Sequence, residues 1–184
     1  METAEEQARF YSIQELLDYA FRGETLSINP KVVDTDYKRD FGALSPQEVI
    51  ADAAMIRSRA MRNIDSEREW HSICAQYRRA TDSDLRDKEA YTIFVLVQNI
   101  RENCRLRNHL AIADMIRDWS PNMRPTKSIQ QWADKLNIPF GTVRRWTKGL
   151  DQNPPSIHYQ LDDWRTMAEK RLSIVFTDLG LIEP

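Results

Sequence analysis

The stretch Ser128 to Leu150 reads SIQQWADKLNIPFGTVRRWTKGL, and its middle restricts the fold more than any other part of the chain. Trp132, Ala133 and Leu136 are apolar at helical spacing. Asn137-Ile138-Pro139 then interrupts the pattern, and Val143, Trp146 and Leu150 resume it in steps of three and four. Two short helices are predicted, each with one buried face. Ala133 is small where crossing helices must approach. Asn137 sits where the first helix must end, and Asn is among the few non-glycine residues that adopt the left-handed conformation. Pro139 can open a helix but cannot continue one.

The second helix is expected over about Phe140 to Lys148. Val143 and Trp146 take its buried side, and Gly141, Thr142, Arg144, Arg145 and Lys148 its other side. Apolar residues that anchor a short helix while small and basic residues project outward suit the major groove of DNA. The plainer reading is a solvated basic helix on a neighbour. The candidate DNA-contacting residues are Phe140, Gly141, Thr142, Arg144, Arg145 and Lys148, with Arg124 and Lys127 on the phosphate backbone. The helix start near Lys127 also offers backbone amides to a phosphate.

Charge agrees with this placement. Residues 101–150 hold ten Lys/Arg and four Asp/Glu, a net +6, so the rest of the chain carries −8 of the overall −2. A basic segment around the second helix is the electrostatic footprint of a phosphate-binding surface.

Ser128 to Leu150 is similar to the helix-turn-helix domains of bacterial and phage regulators, on Ala133, Asn137, Ile138, Val143 and Trp146. Asn137 stands where that family most often has Gly. The resemblance covers about one eighth of the chain and implies binding to double-stranded DNA. With the motif late in the sequence, and an Arg-containing helix around Trp70 to Arg79, the chain also weakly resembles phage antitermination proteins of the Q type. That family binds DNA near a promoter and then loads onto RNA polymerase, so the resemblance implies RNA polymerase as a second partner.

The rest of the chain reads as helices. It has 184 residues, 41% of them hydrophobic, five Trp, five Gly and few alternating apolar runs. The expected fold class is all-α: a multi-helix bundle, a C-terminal trihelical helix-turn-helix unit and a long C-terminal helix. Ser12-Ile13-Gln14-Glu15 and Ser45-Pro46-Gln47-Glu48 fit capping boxes. Gly23 is expected to end the first helix, and residues 24–44 are expected to be irregular, anchored by Val32, Val33, Tyr37 and Phe41. Trp70, Ile73, Cys74 and Tyr77 mark the inner face of one helix. Tyr91, Phe94, Val95, Val97 and Ile100 mark a central helix, apolar nearly all round. Leu110, Ile112, Ala113, Ile116 and Trp119 mark the first helix of the trihelical unit. From Ser156, a stripe from Ile157 to Leu179 that includes Leu161, Trp164, Met167, Ala168, Leu172, Val175 and Phe176 predicts about six helical turns. This helix packs on the body of the protein or forms a homodimer, since two-fold dimers read palindromic operators. The segments are 1–44, an N-terminal helix with irregular chain; 45–105, a helical core; 106–150, the helix-turn-helix unit; and 151–184, the C-terminal helix.

Catalytic chemistry is hard to find. His71, His109 and His158 fall on separate elements without a second ligand at metal spacing. Cys74 and Cys104 lack such spacing too and read as free thiols of a reducing cytoplasm. There is no Gly-rich phosphate loop. The acidic METAEEQARF start lacks a signal-peptide apolar block, and no apolar run approaches the ~20 residues of a membrane helix. The expectation is a cytoplasmic, non-enzymatic protein without cofactor or metal. It is a sequence-specific transcription regulator, an antitermination factor that binds DNA and RNA polymerase, or a helical protein-protein interaction module.

Overall fold

The computed structural model describes residues 9–28, 45–79, 83–150 and 153–183. The protein is all-α. Among the described residues there are eight helices: α1 (Ile13–Ile28), α2 (Pro46–Arg62), α3 (Glu67–Tyr77), α4 (Ser83–Arg101), α5 (His109–Trp119), α6 (Ile129–Leu136), α7 (Phe140–Lys148) and α8 (Ile157–Asp178). Extended pairing among these residues is confined to an isolated bridge between Phe10 and Ile182. No described helix is long and apolar enough to cross a membrane. The acidic residues before Arg9, the anchors Val32, Val33, Tyr37 and Phe41, and the polar pairs Thr81-Asp82 and Asp151-Gln152 lie outside the described residues. Contacts divide the chain into two compact units, one of residues 1–65 with 168–184 and the other of residues 66–167.

In the first unit, α1 packs on α2. The stripe Ile13, Leu16, Leu17, Ala20 and Phe21 is buried as its spacing requires. Ser12 Oγ accepts from the amide of Glu15 at 3.2 Å, but the Glu15 carboxylate reaches back to the amide of Tyr11, one residue short of a capping box. At Ser45 and Glu48 the box is complete, with Pro46 in the first turn. Gly23 does not end α1, which runs on to Ile28. A Cβ on Gly23 would lie 2.3 Å from the Cβ of Ala53, so this glycine is a close-approach residue between helices. The first residues expected to be irregular, 24–28, are therefore helical. Arg9, Tyr19 and Asp52 interlock on the same face. Burial and the bond to Asp52 push the Tyr19 phenol up to about 12.

In the second unit, α3, α4, α5, α6 and the start of α8 share a hydrophobic core. It includes Ala75, Leu96, Val97, Ile100, Leu106, Ile112, Met115, Ile116, Trp132, Ile157 and Leu161. Three faces differ from their expected positions. On α3, Ile73 and Cys74 are buried as expected, but Glu69, His71 and Ser72 are buried too, while Trp70 and Tyr77 are only half-buried. On α4, Tyr91 and Phe94 are each 58% exposed, so the helix has a solvent face. On α5, the buried set is Ala111, Ile112, Asp114, Met115 and Ile116, while Leu110 is exposed. Each periodic pattern admitted neighbouring solutions, and the packing partners selected one. The α8 stripe Ile157, Leu161, Trp164, Ala168, Leu172 and Phe176 is buried by the chain itself, while Met167 and Leu179 are exposed. Both cysteines are buried and neither is in a disulfide.

Candidate nucleic-acid interface

Helices α6 and α7 form where the apolar pattern places them. Ser128 opens α6 with a reciprocal box: its hydroxyl accepts from the amide of Gln131, and the Gln131 side chain accepts from the amide of Ser128. At the other end Asn137 adopts φ 53° and ψ 44°, in the left-handed region. The amide of Asn137 donates to the carbonyl of Asp134, and that of Ile138 to the carbonyl of Ala133 at 3.0 Å. These bonds form a Schellman stop, which satisfies carbonyls that the helix leaves open. Pro139 then precedes α7, and its carbonyl accepts from Thr142 and Val143.

α7 is anchored by Val143 and Thr147, both fully buried, and by the half-buried Trp146. Thr147 is an addition to the expected anchors: its hydroxyl donates to the carbonyl of Val143 at 2.9 Å, which satisfies it inside the packing. Leu150 is not an anchor, because α7 ends at Lys148 and Leu150 is 90% exposed. At 100° per residue, Phe140, Arg144, Lys148, Gly141 and Arg145 follow one another around a continuous arc of about 140°. All five are exposed. Thr142 lies at the edge of this arc and is half-buried. Beyond its own helix, no described residue lies within 4 Å of the Cβ position of Gly141, so the arc is open there.

The cations differ in their surroundings. Among the described residues, Arg144 and Arg145 have no carboxylate partner. Lys148 pairs with Asp118 of α5 at 2.8 Å. The same carboxylate oxygen lies 3.7 Å from Nε2 of His158, which also contacts the carbonyl of Met115 at 3.0 Å. Burial lowers the pKa of His158. Arg124 is exposed on the loop before α6. Lys127 is half-buried, its ammonium 5.8 Å from the ring centroid of Trp132.

The main organising residue of the region was not among the sequence candidates. Asp114, 1% exposed, accepts hydrogen bonds from the amide and hydroxyl of Thr126, the amide of Lys127 and the indole of Trp132. Arg117 lies 3.3 Å away as its ion-pair partner. Burial opposes the charge on Asp114, but these donors outweigh it and hold the carboxyl below its ordinary 3.8. The signal in the sequence was a lone acid inside the apolar run LAIADMI. This arrangement takes up several of the backbone amides near the start of α6, where the sequence offered a phosphate site. The amides of Thr126 and Lys127 serve Asp114, and those of Ser128 and Gln131 serve the capping box.

Among the described residues no group of three or more His, Cys, Asp or Glu could hold a metal ion. Comparison of the chain with protein-family models, with curated proteins and with solved structures finds no match.

Proposed function

We propose that the chain is a sequence-specific DNA-binding transcription regulator in which α6 and α7 act as a helix-turn-helix and α7 enters the major groove. The observation that carries this reading is the exposed arc of Phe140, Gly141, Arg144, Arg145 and Lys148 on a helix fixed from behind by Val143 and Thr147. Arginine can bind guanine O6 and N7 in a bidentate manner, and an aromatic edge can meet a thymine methyl. Arg144 and Arg145 have those roles or contact phosphate, Phe140 makes the apolar contact, and Gly141 lets the helix backbone come close. Thr142, Lys127 and Arg124 lie toward the flanking phosphates. Lys148 reaches a phosphate by exchanging its bond to Asp118.

Selection of bound sequences from a random duplex pool tests the proposal. One enriched motif is expected. Arg144→Ala with Arg145→Ala should lose binding to that motif and reduce the salt slope of the residual affinity by about two. No enrichment, or unchanged binding by the double variant, rejects the assignment.

A further inference from the structure

The flank of α7 turned away from the basic arc borders an open groove of about 440 Å³. Its floor is aliphatic and aromatic: Leu136 of α6, Ile138 of the turn and Trp146 of α7, all half-buried. Arg105 and Arg107, both exposed, stand at its rim, and among the described residues no carboxylate lines it. Each guanidinium is steadied by a backbone carbonyl: Arg105 donates to that of Asn153 at 3.2 Å, and Arg107 to that of Arg101 at 3.0 Å. A guanidinium has five N–H donors, so each keeps donors for a ligand.

We infer that this groove binds an acidic peptide segment of a partner protein, with one apolar side chain on the Leu136–Ile138–Trp146 floor and carboxylates on Arg105 and Arg107. Charge selects the sign of the ligand, since two fixed cations with no opposing carboxylate among the described residues favour an anionic partner. The floor selects a peptide over a nucleic acid strand. Three of the four apolar residues that line the groove, Leu106, Leu136 and Ile138, are aliphatic, which suits an apolar side chain, whereas a single-stranded base is held by stacking on aromatic faces. Trp146 is well placed as an anchor wall, because Trp and Arg are enriched among the residues that carry most of the binding energy at interfaces. On the helix wheel Trp146 lies roughly opposite the Arg144–Arg145 arc, so the peptide and a duplex would occupy different sides of α7.

The test is selection of heptapeptides from a random displayed library on the full chain, followed by binding measured through Trp fluorescence. Enriched peptides should carry acidic residues around one apolar residue. Arg105→Gln with Arg107→Gln, which keeps an N–H donor for each carbonyl but removes the charge, should weaken them by about tenfold or more. Arg105→Glu with Arg107→Glu should select basic peptides instead. Arg144→Ala with Arg145→Ala should leave peptide binding unchanged, which separates this site from the proposed DNA interface. The inference is overturned by a selection without acidic enrichment, by peptides indifferent to the glutamine pair in a variant with wild-type circular dichroism, or by a single-stranded oligonucleotide that binds the groove in their place.

Discussion

The carboxylate of Asp114 on α5 accepts a 2.9 Å hydrogen bond from the indole nitrogen of Trp132 on α6. The same carboxylate holds the amides of Thr126 and Lys127. One buried charge thus fixes the loop before α6 and the orientation of Trp132, the largest fully buried side chain among the described residues. Breaking a buried hydrogen-bonded charge leaves its donors unsatisfied. Asp114→Ala should destabilise the protein by about 3 kcal/mol, and Asp114→Asn by less, because its amide oxygen still accepts. Urea unfolding followed by Trp fluorescence measures both. A loss under about 1 kcal/mol for the alanine variant would remove Asp114 from this role.

Acid should weaken the fold in two stages. Burial holds His71 and His158 below their ordinary 6.5. Below that pH the unfolded chain takes up protons that the folded chain does not, so their contribution is complete above 6.5 and declines as the pH falls. Asp114 is held below 3.8, so its contribution is complete above that pH and is lost on further acidification. The urea midpoint should therefore fall from pH 7 to pH 5 and again below about pH 4. Replacing His71 and His158 together by Gln should flatten the first stage and spare the second; an unaltered first stage would mean that other groups cause it.

Two glycines should respond in opposite directions to alanine. Gly141 is helical, exposed and surrounded by open space. Gly141→Ala should raise stability by roughly 0.5–1 kcal/mol through helix propensity. Gly23 has Ala53 where its Cβ would stand, so Gly23→Ala should destabilise by about 1–3 kcal/mol through overpacking. Thermal unfolding of the two variants measures both changes, and a stabilised Gly23→Ala would contradict the close approach of α1 and α2.

Asp118 restrains Lys148. If α7 reads DNA, Asp118→Asn should free that ammonium, tighten duplex binding several-fold at low salt and steepen its salt dependence by about one phosphate contact. The pair is partly exposed, so stability should change by no more than about 1 kcal/mol. Filter binding across a salt series gives the slope. Weaker binding in the variant would show instead that Asp118 positions Lys148 productively.

Much of α6 and α7 was legible in the sequence because their limits are set by interactions within a few residues. Ser128 with Gln131, Asn137 in the left-handed region and Pro139 before α7 are local devices. Ser45 with Glu48 is another. Their residue types announce them, since only a few side chains can cap a helix or tolerate that backbone. The exposed position of Arg144 and Arg145 followed from the same periodicity that buried Val143.

The α5 face, Gly23 and Asp114 were not legible in this way. Periodicity predicts that α5 has an apolar side, but the neighbours of Ile112 and Met115 determined that Ala111 turned inward and Leu110 outward. Gly23 looked like a stop, because the helix that needs its missing Cβ begins more than twenty residues later. The role of Asp114 depended on Trp132, a donor eighteen residues away. The sequence by itself determined the local geometry: where helices start, stop and turn. Only the tertiary structure decided which side chains share a buried space, because burial is a property of partners brought together across the chain.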